Sequence, residues 1–498
     1  MKRTLLLALA TTTILLAGLA DAQRGRPPRE GPLSETSLTE DPGNHARPPR
    51  ERAAPPERRI ALDLDFEPAG PPMARDHVVV RFAREMPDWQ RRQVVTAAGG
   101  GGFRPARRDA FTRVDVAPGD SVEALLARLH GIAGVVSAEP DPLCWAPARR
   151  VVTLAAAPGA AAADFTDPLY FAQWTLHRIR LEEAVDRNGT GGAGVIVAVL
   201  DTGVAFGNGA SFPARRGIDL EGASFLPGID LVDGGPPFDE GSGEPGFPTS
   251  PRFGHGTFAA SQIVAQVNNG ISGAGVAPRV TILPVRVLGT GGFGTFSDVA
   301  EGIDFAVAQG AKVISMSLGG SEGAGFLQAA VERAAAAGVV LVAAAGNEAD
   351  EPDPPDDVAF PARYEQVIAV GASGFNDQRV DYSNTGPGLD IMAPAGENAG
   401  DEVGQGLPDG AVAPSFLHFP VSGQTSYGTF IANGTSFAVP QVSGGAALLI
   451  ALGVDDQELL RDLLLVTVRD LASPGFDQQT GHGLLDLLEA HRGLGFAF

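Results

Sequence analysis

A chain of 498 residues has room for one large domain and a smaller one, and with 44% hydrophobic and 19% charged residues most of its length can bury a core. The net charge of −22 excludes nucleic acid as the main partner, because phosphate binding needs a basic surface. One cysteine, Cys144, excludes an intramolecular disulfide framework and a zinc site built of cysteines alone.

The charge is unevenly spread. Residues 1–150 carry 22 basic and 19 acidic groups, the remainder 15 and 40, so a nearly neutral, Arg-rich front is joined to a strongly acidic body. Met1-Lys2-Arg3, an apolar run from Thr4 to Ala20 and the small-x-small step Ala20-Asp21-Ala22 read as a secretory signal peptide over residues 1–22. The run is shorter than the roughly 20 residues of a membrane span. No later run is apolar enough to serve, so an exported product, extracellular or periplasmic and without a membrane anchor, is expected. Residues 23–74 are Pro- and Arg-rich without aliphatic periodicity and read as a disordered linker.

From His77 the texture changes. A strand to Phe82, a helix over Pro87 to Ala98, a strand over Phe111 to Val116, a helix over Ser121 to His130 and a strand from Val135 to Glu139 follow in turn. This β-α-β-α-β order describes a small α+β domain over residues 75–141, and residues 142–166 read as a cleavable Ala/Pro/Gly connection. Beyond it, apolar runs at Val195 to Leu200, Val280 to Val287, Val313 to Leu318, Val339 to Ala345 and Val367 to Ala372 alternate with helical stretches such as Ser297 to Gln309 and Phe326 to Ala337. Continuous apolar strands alternating with helices predict an α/β fold in three layers, a parallel sheet with helices on both faces, over residues 167–498. Such sheets carry their chemistry at the carboxyl ends of the strands.

Three motifs fall where that architecture places a site. Val195 to Leu200 runs into Asp201-Thr202-Gly203; Gly254-His255-Gly256-Thr257 opens a helix; Asn433-Gly434-Thr435-Ser436 opens another. A serine hydroxyl is barely nucleophilic at neutral pH without an imidazole to take its proton, and the imidazole needs a buried carboxylate to fix its tautomer. Asp201, His255 and Ser436 are therefore the candidate triad.

The segment from about Asp167 to Leu488 resembles the subtilisin-like (subtilase, S8) serine proteases, whose triad follows the same Asp, His, Ser order. The resemblance implies a secreted serine endopeptidase acting through an acyl-enzyme, with protein or peptide substrates, no catalytic cofactor and a monomeric state. It makes Asn347, at the end of the Val339 to Ala345 run, the side-chain donor to the transient oxyanion, with the Ser436 backbone N–H as the second. Gly292, Phe293 and Gly294 match one segment that pairs with an extended substrate, and Ser317, Leu318 and Gly319 the opposing one. The primary pocket would be walled by Ala344, Ala345 and Gly346 and by Val358 to Phe360, with Ala359 where relatives often carry Gly. Glu348 and the acids from Asp350 to Asp357 leave two readings open, a preference for a basic side chain or a solvated acidic loop. Val267, Asn269, Ile271 and Gly273 resemble the family's calcium loop, with Asp167 and Asp219 aligned as carboxylates, so a structural calcium is implied. Asp230 and Asp233 are a weaker second site, with acidic surface as the favoured reading. The 75–141 domain resembles the family's inhibitory propeptide, which would make the protein a self-processing zymogen inhibited by its own front domain, and would make Cys144 incidental.

The sequence also departs from the family. Phe258, Ser261, Phe437 and Gln441 replace residues common there, at what read as packing positions. Residues 398–424 look inserted, either a surface loop or a lid. Asp201-Thr202-Gly203 also suits an aspartic protease, but that chemistry needs two such carboxylates and the chain has no second Asp-Thr-Gly or Asp-Ser-Gly. A non-catalytic binding protein on the same fold is the remaining alternative.

Overall fold

The computed structural model describes residues 61–63, 73–106, 111–146, 150–154, 165–185, 189–243, 249–352, 354–397 and 409–495. The expected signal peptide and most of the expected 23–74 linker lie outside them. Among the described residues, no helix is long and apolar enough to cross a membrane.

β1 (Ala61–Asp63) comes first, and the front domain comprises β2 (Met73–Phe82), α1 (Asp88–Ala97), β3 (Arg104–Pro105), β4 (Thr112–Asp115), α2 (Val122–Leu129) and β5 (Val135–Trp145). Next come β6 (Arg150–Leu154), a short helical turn at Tyr170–Ala172, α3 (Trp174–Arg178), α4 (Leu181–Val185), β7 (Ile196–Asp201), β8 (Ser224–Phe225), β9 (Ile229–Asp230) and β10 (Arg252–Phe253). α5 (His255–Val264), β11 (Thr281–Arg286), β12 (Phe293–Thr295), α6 (Phe296–Ala308), β13 (Val313–Met316), α7 (Gly325–Ala336), β14 (Val340–Ala344), β15 (Val367–Ser373) and β16 (Ile391–Pro394) follow. The chain ends through β17 (Ala411–Phe419), β18 (Gln424–Asn433), a turn at Thr435–Phe437, α8 (Val439–Ala451), α9 (Gln457–Val466) and α10 (Leu487–Gly493).

The central sheet runs β16-β15-β14-β13-β7-β11-β8, with β9 also on β11, and every pair in it is parallel. Alternate residues of one strand face opposite sides. Val340, Val342 and Ala344 join the core shared with α5 and α8, whereas Leu341 and Ala343 join the core shared with α6 and α7. Both faces are thus covered, which is why these strands are apolar throughout and why the three-layer reading holds.

A second, antiparallel sheet runs β1-β6-β18-β17-β10. It departs from the sequence reading in three places. Ala61–Asp63 and Arg150–Leu154, read as linker, are strands in it. Ala411–Phe419, read as a surface loop or lid, is a strand buried from Ala411 to Leu417. The signal was hard to read because Pro, Ser and His interrupt an apolar run that only its strand partners make regular; residues 398–408 of the expected insertion lie outside the described set.

The front domain forms the third sheet, β12-β5-β2-β4-β3, so one of its members, β12, belongs to the large domain. β5 is longer than expected because its end pairs there: Leu143, Cys144 and Trp145 oppose Thr295, Gly294 and Phe293. Two acids two residues apart on β5 meet two helix N-termini, where unpaired N–H groups and the helix dipole favour carboxylates. Asp141 Oδ1 accepts from Ser297 N on α6 at 3.0 Å, and Glu139 Oε2 from Gly325 N on α7 at 2.8 Å. Asp141 Oδ2 also bonds His77 Nε2 at 2.7 Å; burial alone would lower the His77 pKa, but Asp141 and Asp76 outweigh it and raise it. Arg113 on β4 pairs with Asp298 on α6 in a nearly buried contact. Removing one partner of such a pair leaves an uncompensated charge, a loss of about 3 kcal/mol or more. An Asp298→Ala variant should therefore hold the front domain less tightly, seen as faster amide hydrogen exchange over β2 to β5 with little change in β13 to β15.

Candidate active site

β7 delivers Asp201 at its carboxyl end, and α5 begins at His255. His255 Nδ1 lies 2.8 Å from Asp201 Oδ1, and neither side chain is exposed. That carboxylate oxygen also accepts from Thr202 N at 2.7 Å, which orients it. The approach of α5 to β7 requires Gly256, since a Cβ there would lie 2.2 Å from the Gly203 carbonyl oxygen and 3.0 Å from Asp201 Cβ.

The second sheet carries the other half. β18 runs directly into the turn holding Ser436, while β17 grips the start of α5: Gly254 N donates to Phe416 O at 3.0 Å and Ser415 Oγ to Gly254 O at 2.6 Å. The Phe437 ring centroid is 5.1 Å from that of His255, and Gln262 Nε2 on α5 donates to Phe437 O at 3.0 Å. Ser436 thus lies one residue from a side chain packed on the imidazole. Its hydroxyl donates to Ser317 O at 3.2 Å, and Ser317 Oγ donates to Ser436 O at 2.7 Å. His255 Nε2, the nitrogen that would take the serine proton, is buried without a hydrogen-bond partner.

Asn347 follows β14. Its Oδ1 accepts from Thr435 N at 2.9 Å and from Thr435 Oγ1 at 3.0 Å. Because a backbone N–H can only donate, the carboxamide oxygen must face Thr435 and its NH2 is the donor end. Gly346, at φ +104°, makes this turn, and a Cβ there would come within 2.3 Å of Asn384 Nδ2.

The two expected substrate segments lie either side of β5. Trp145 exchanges hydrogen bonds with Gly319 at 2.8 and 2.9 Å, and Ala146 N donates to Gly292 O at 3.1 Å. Trp145 opposes Phe293 and Cys144 opposes Gly294, so Gly292 to Gly294 and Gly319 grip an extended strand. Cys144 is fully buried in the core shared with Leu318, and burial pushes its thiol pKa well up. Ala344 and Ala345 are buried; Ala345 O accepts from Ala359 N at 2.8 Å, and the Ala359 methyl stands 3.0 Å from where a Cβ on Gly319 would be. Two nearby acids are already engaged. Glu348 Oε2 accepts from Asn347 N at 2.9 Å and Asn384 Nδ2 at 2.7 Å, and buried Asp357 pairs with Arg363 at 3.0 Å. Asp357 is thus balanced by a cation, whereas the donors to Glu348 are neutral amides.

At the expected calcium loop, Asp167 accepts from Asn268 N, Asn269 N and Gly270 N at 2.6, 2.9 and 2.9 Å. Asp219 Oδ1 accepts from Asn269 Nδ2 at 2.6 Å, whereas Asp219 Oδ2 is buried without a partner, and burial raises its pKa to about 8. An orphaned carboxylate oxygen beside a carboxamide, in a loop rich in backbone carbonyls, fits a hard cation. Among the described residues no three His, Cys, Asp or Glu side chains gather to hold a metal by themselves. Asp230 and Asp233 are not a second site of this kind: both pair with buried Arg286, at 2.7 and 2.8 Å, and Asp230 is itself buried, not acidic surface.

Residues 192–483, more than half of the chain, match the family described as the subtilase family. The chain belongs to that family. Among relatives of this subtilase, alkaline elastase YaB of Bacillus sp. (strain YaB) is 38% identical over 276 residues, 55% of this chain and 59% of that protein. Subtilisin E of Bacillus subtilis (strain 168) is 36% identical over 271 residues, 54% and 58% respectively. The chain thus spans somewhat under three-fifths of the length of these two relatives. The solved structure titled "Proteases from Pseudoalteromonas arctica PAMC 21717" is 30% identical, with a TM-score of 0.55, over 66% of this chain and 99% of that one. Fervidolysin from Fervidobacterium pennivorans shares the fold, with a TM-score of 0.63 at 24% identity over 84% of this chain and 61% of its own.

The sequence departures of this subtilase meet one another. Phe258 packs against Phe437 with ring centroids 4.6 Å apart, and Gln441 Nε2 donates to Pro394 O at 2.6 Å and Phe437 O at 3.0 Å. One residue escaped the sequence reading. Asp239 is fully buried; its Oδ1 accepts from Thr202 Oγ1 at 3.0 Å and Gly241 N at 2.8 Å, its Oδ2 from Thr257 N at 2.9 Å and Thr257 Oγ1 at 2.6 Å. It clamps the neighbour of Asp201 to the helix of His255, yet in the sequence it is one of several acids between two motifs. Burial, with Asp201 nearby, raises its pKa from 3.8 to about 6. The folded chain therefore holds an extra proton between about pH 4 and 6, and this group's contribution to stability is full below pH 4 and lost as pH rises through about 6. In a Ser436→Ala background, Asp239→Asn should flatten the dependence of unfolding free energy on pH over that window by up to about one proton, read by denaturant melts at each pH.

Proposed function

We propose that this subtilase is a secreted serine endopeptidase made as a self-processing zymogen. The observation that carries the reading is the fully buried Asp201–His255 hydrogen bond, with Ser436 on the turn whose next side chain packs on the imidazole. Asp201 holds the imidazole with Nδ1 as the donor, so Nε2 is the basic nitrogen. A substrate strand seated between Gly292 to Gly294 and Ser317 to Gly319 brings a backbone N–H to the Ser317 carbonyl and displaces the Ser436 hydroxyl from it toward Nε2. The hydroxyl proton passes to Nε2 as Oγ attacks the carbonyl carbon. The negative oxygen then draws on the Asn347 NH2, and the protonated imidazole returns its proton to the leaving amine. Water repeats the cycle on the acyl-enzyme, releasing the acid and Ser436. Main-chain pairing of this sort holds many sequences, which suits broad specificity.

Zymogen status is supported by β5, which occupies the strand position a substrate would take while Asp141 and Glu139 anchor it to α6 and α7. Calcium at Asp219, Asn269 and the carbonyls of Val267, Ile271 and Gly273 would supply a charge for the orphaned carboxylate and tie the loop to the body; Asp167 orders that loop through its N–H groups.

Ser436→Ala should abolish both hydrolysis of a casein substrate and release of the front domain, and should abolish labelling by a fluorophosphonate. Equal processing by wild type and variant would refute the enzyme reading. Asn347→Ala should lower kcat by about 10²–10³ with little change in KM, the magnitude measured for this donor in subtilisin itself. Chelation by EGTA should lower Tm, with recovery on adding calcium but not magnesium; an unchanged Tm would remove the calcium assignment.

A further inference from the structure

The stretch between the front domain and the large domain contains a strand that is wired into the catalytic machinery. β6 pairs with β18 from Thr429↔Leu154 to Asn433↔Arg150, and Asn433 is three residues before Ser436. Val151 is fully buried in one cluster with Phe253, Phe258, Phe430 and Phe437. In that cluster Phe258 belongs to the His255 helix, Phe437 packs at a tilt against the imidazole, and Phe253 packs on Phe258 and Phe430 at 5.6 and 5.7 Å. Val152 and Leu154 are also buried, Leu154 in a second cluster with Leu169, Ala172, Val412 and Ile431. The sequence between Ala146 and Arg150 reaches at most about 14 Å, so the strand in the cleft and the strand beside the serine turn are close-coupled.

We propose that β6 is the first strand of the mature enzyme, that the cut releasing the front domain falls before Arg150, and that Val151 is a positioning residue for Ser436 and His255. The proposal rests on the self-processing endopeptidase reading above. A cut after Leu154 would strip three buried aliphatic side chains from the core and expose the backbone edge of β18, which ends three residues before Ser436. Burial of these side chains favours the folded state, and an unpaired strand edge so near the serine would loosen its turn. Val151 shares a buried cluster with Phe437, which packs on the imidazole, and with Phe258, which packs on Phe437, so a change in its volume reaches the imidazole and the turn through those rings. Cleavage before Arg150 separates the inhibitor from the enzyme while leaving this packing whole.

The test uses the full chain, with and without Ser436→Ala, and intact-mass analysis of the products. The expected mature form begins after Ala146 and no later than Arg150, and no processing occurs in Ser436→Ala. A mature form beginning at residue 151 or later, with processing still blocked in Ser436→Ala, overturns the proposal alone. Processing that is equal in Ser436→Ala overturns the endopeptidase reading and the proposal with it. Val151→Ala and Val151→Thr, matured from the full chain, should lose about 3- to 10-fold in kcat with KM within twofold. A lowered Tm with unchanged kcat in both would reduce Val151 to a packing residue and overturn its positioning role.

Discussion

The molecule turns on a hydrogen bond made out of reach of water, between Asp201 Oδ1 and His255 Nδ1. Its partners come from a strand end and a helix start, two places where the backbone already has spare hydrogen-bonding groups to aim at a site. Burial makes such a bond strong and makes an error in it costly, so the surrounding structure must hold both side chains without slack. Gly256 permits the close approach, Thr202 N fixes the carboxylate, and Asp239 fastens the two elements behind it.

The serine is brought to this pair by a different sheet. The β17–β18 hairpin is a bracket: one strand holds Gly254 at the threshold of the histidine helix, the other ends at the nucleophile. A parallel sheet alone gives each catalytic group its own strand end but no direct tie between them. The antiparallel layer supplies that tie, and β6 lengthens it on one side. In the state seen here the serine hydroxyl rests on Ser317 O and the imidazole nitrogen waits without a partner. The Ser317 carbonyl, in one of the two segments that hold β5, is the acceptor for that hydroxyl.

The front domain uses the large domain's own recognition surfaces. Asp141 and Glu139 answer two helix N-termini, and the continuation of their strand lies between the substrate segments. Charge at the helix ends and main-chain pairing in the cleft act along one strand, so docking and blocking are not separable events.

The sequence by itself determined the parallel, two-faced sheet, because strands buried on both sides must be apolar at every position and these runs are. It also offered Asp201, His255 and Ser436 as candidates, because each stands in a motif at the end of such a strand or the start of a helix, whereas Asn347 entered only through the resemblance to a known family. Only the tertiary structure decided what depends on pairing between distant segments. Arg150–Leu154 and Ala61–Asp63 carry too short and too ordinary a pattern to announce a strand; the first becomes one only against β18, and the second only against the first. Asp230 and Asp233 read as acidic surface until Arg286 is seen beneath them, and Asp239 reads as nothing until Thr202 and Thr257 converge on it. A buried carboxylate is defined by the donors around it, and those donors are neighbours in space, not along the chain.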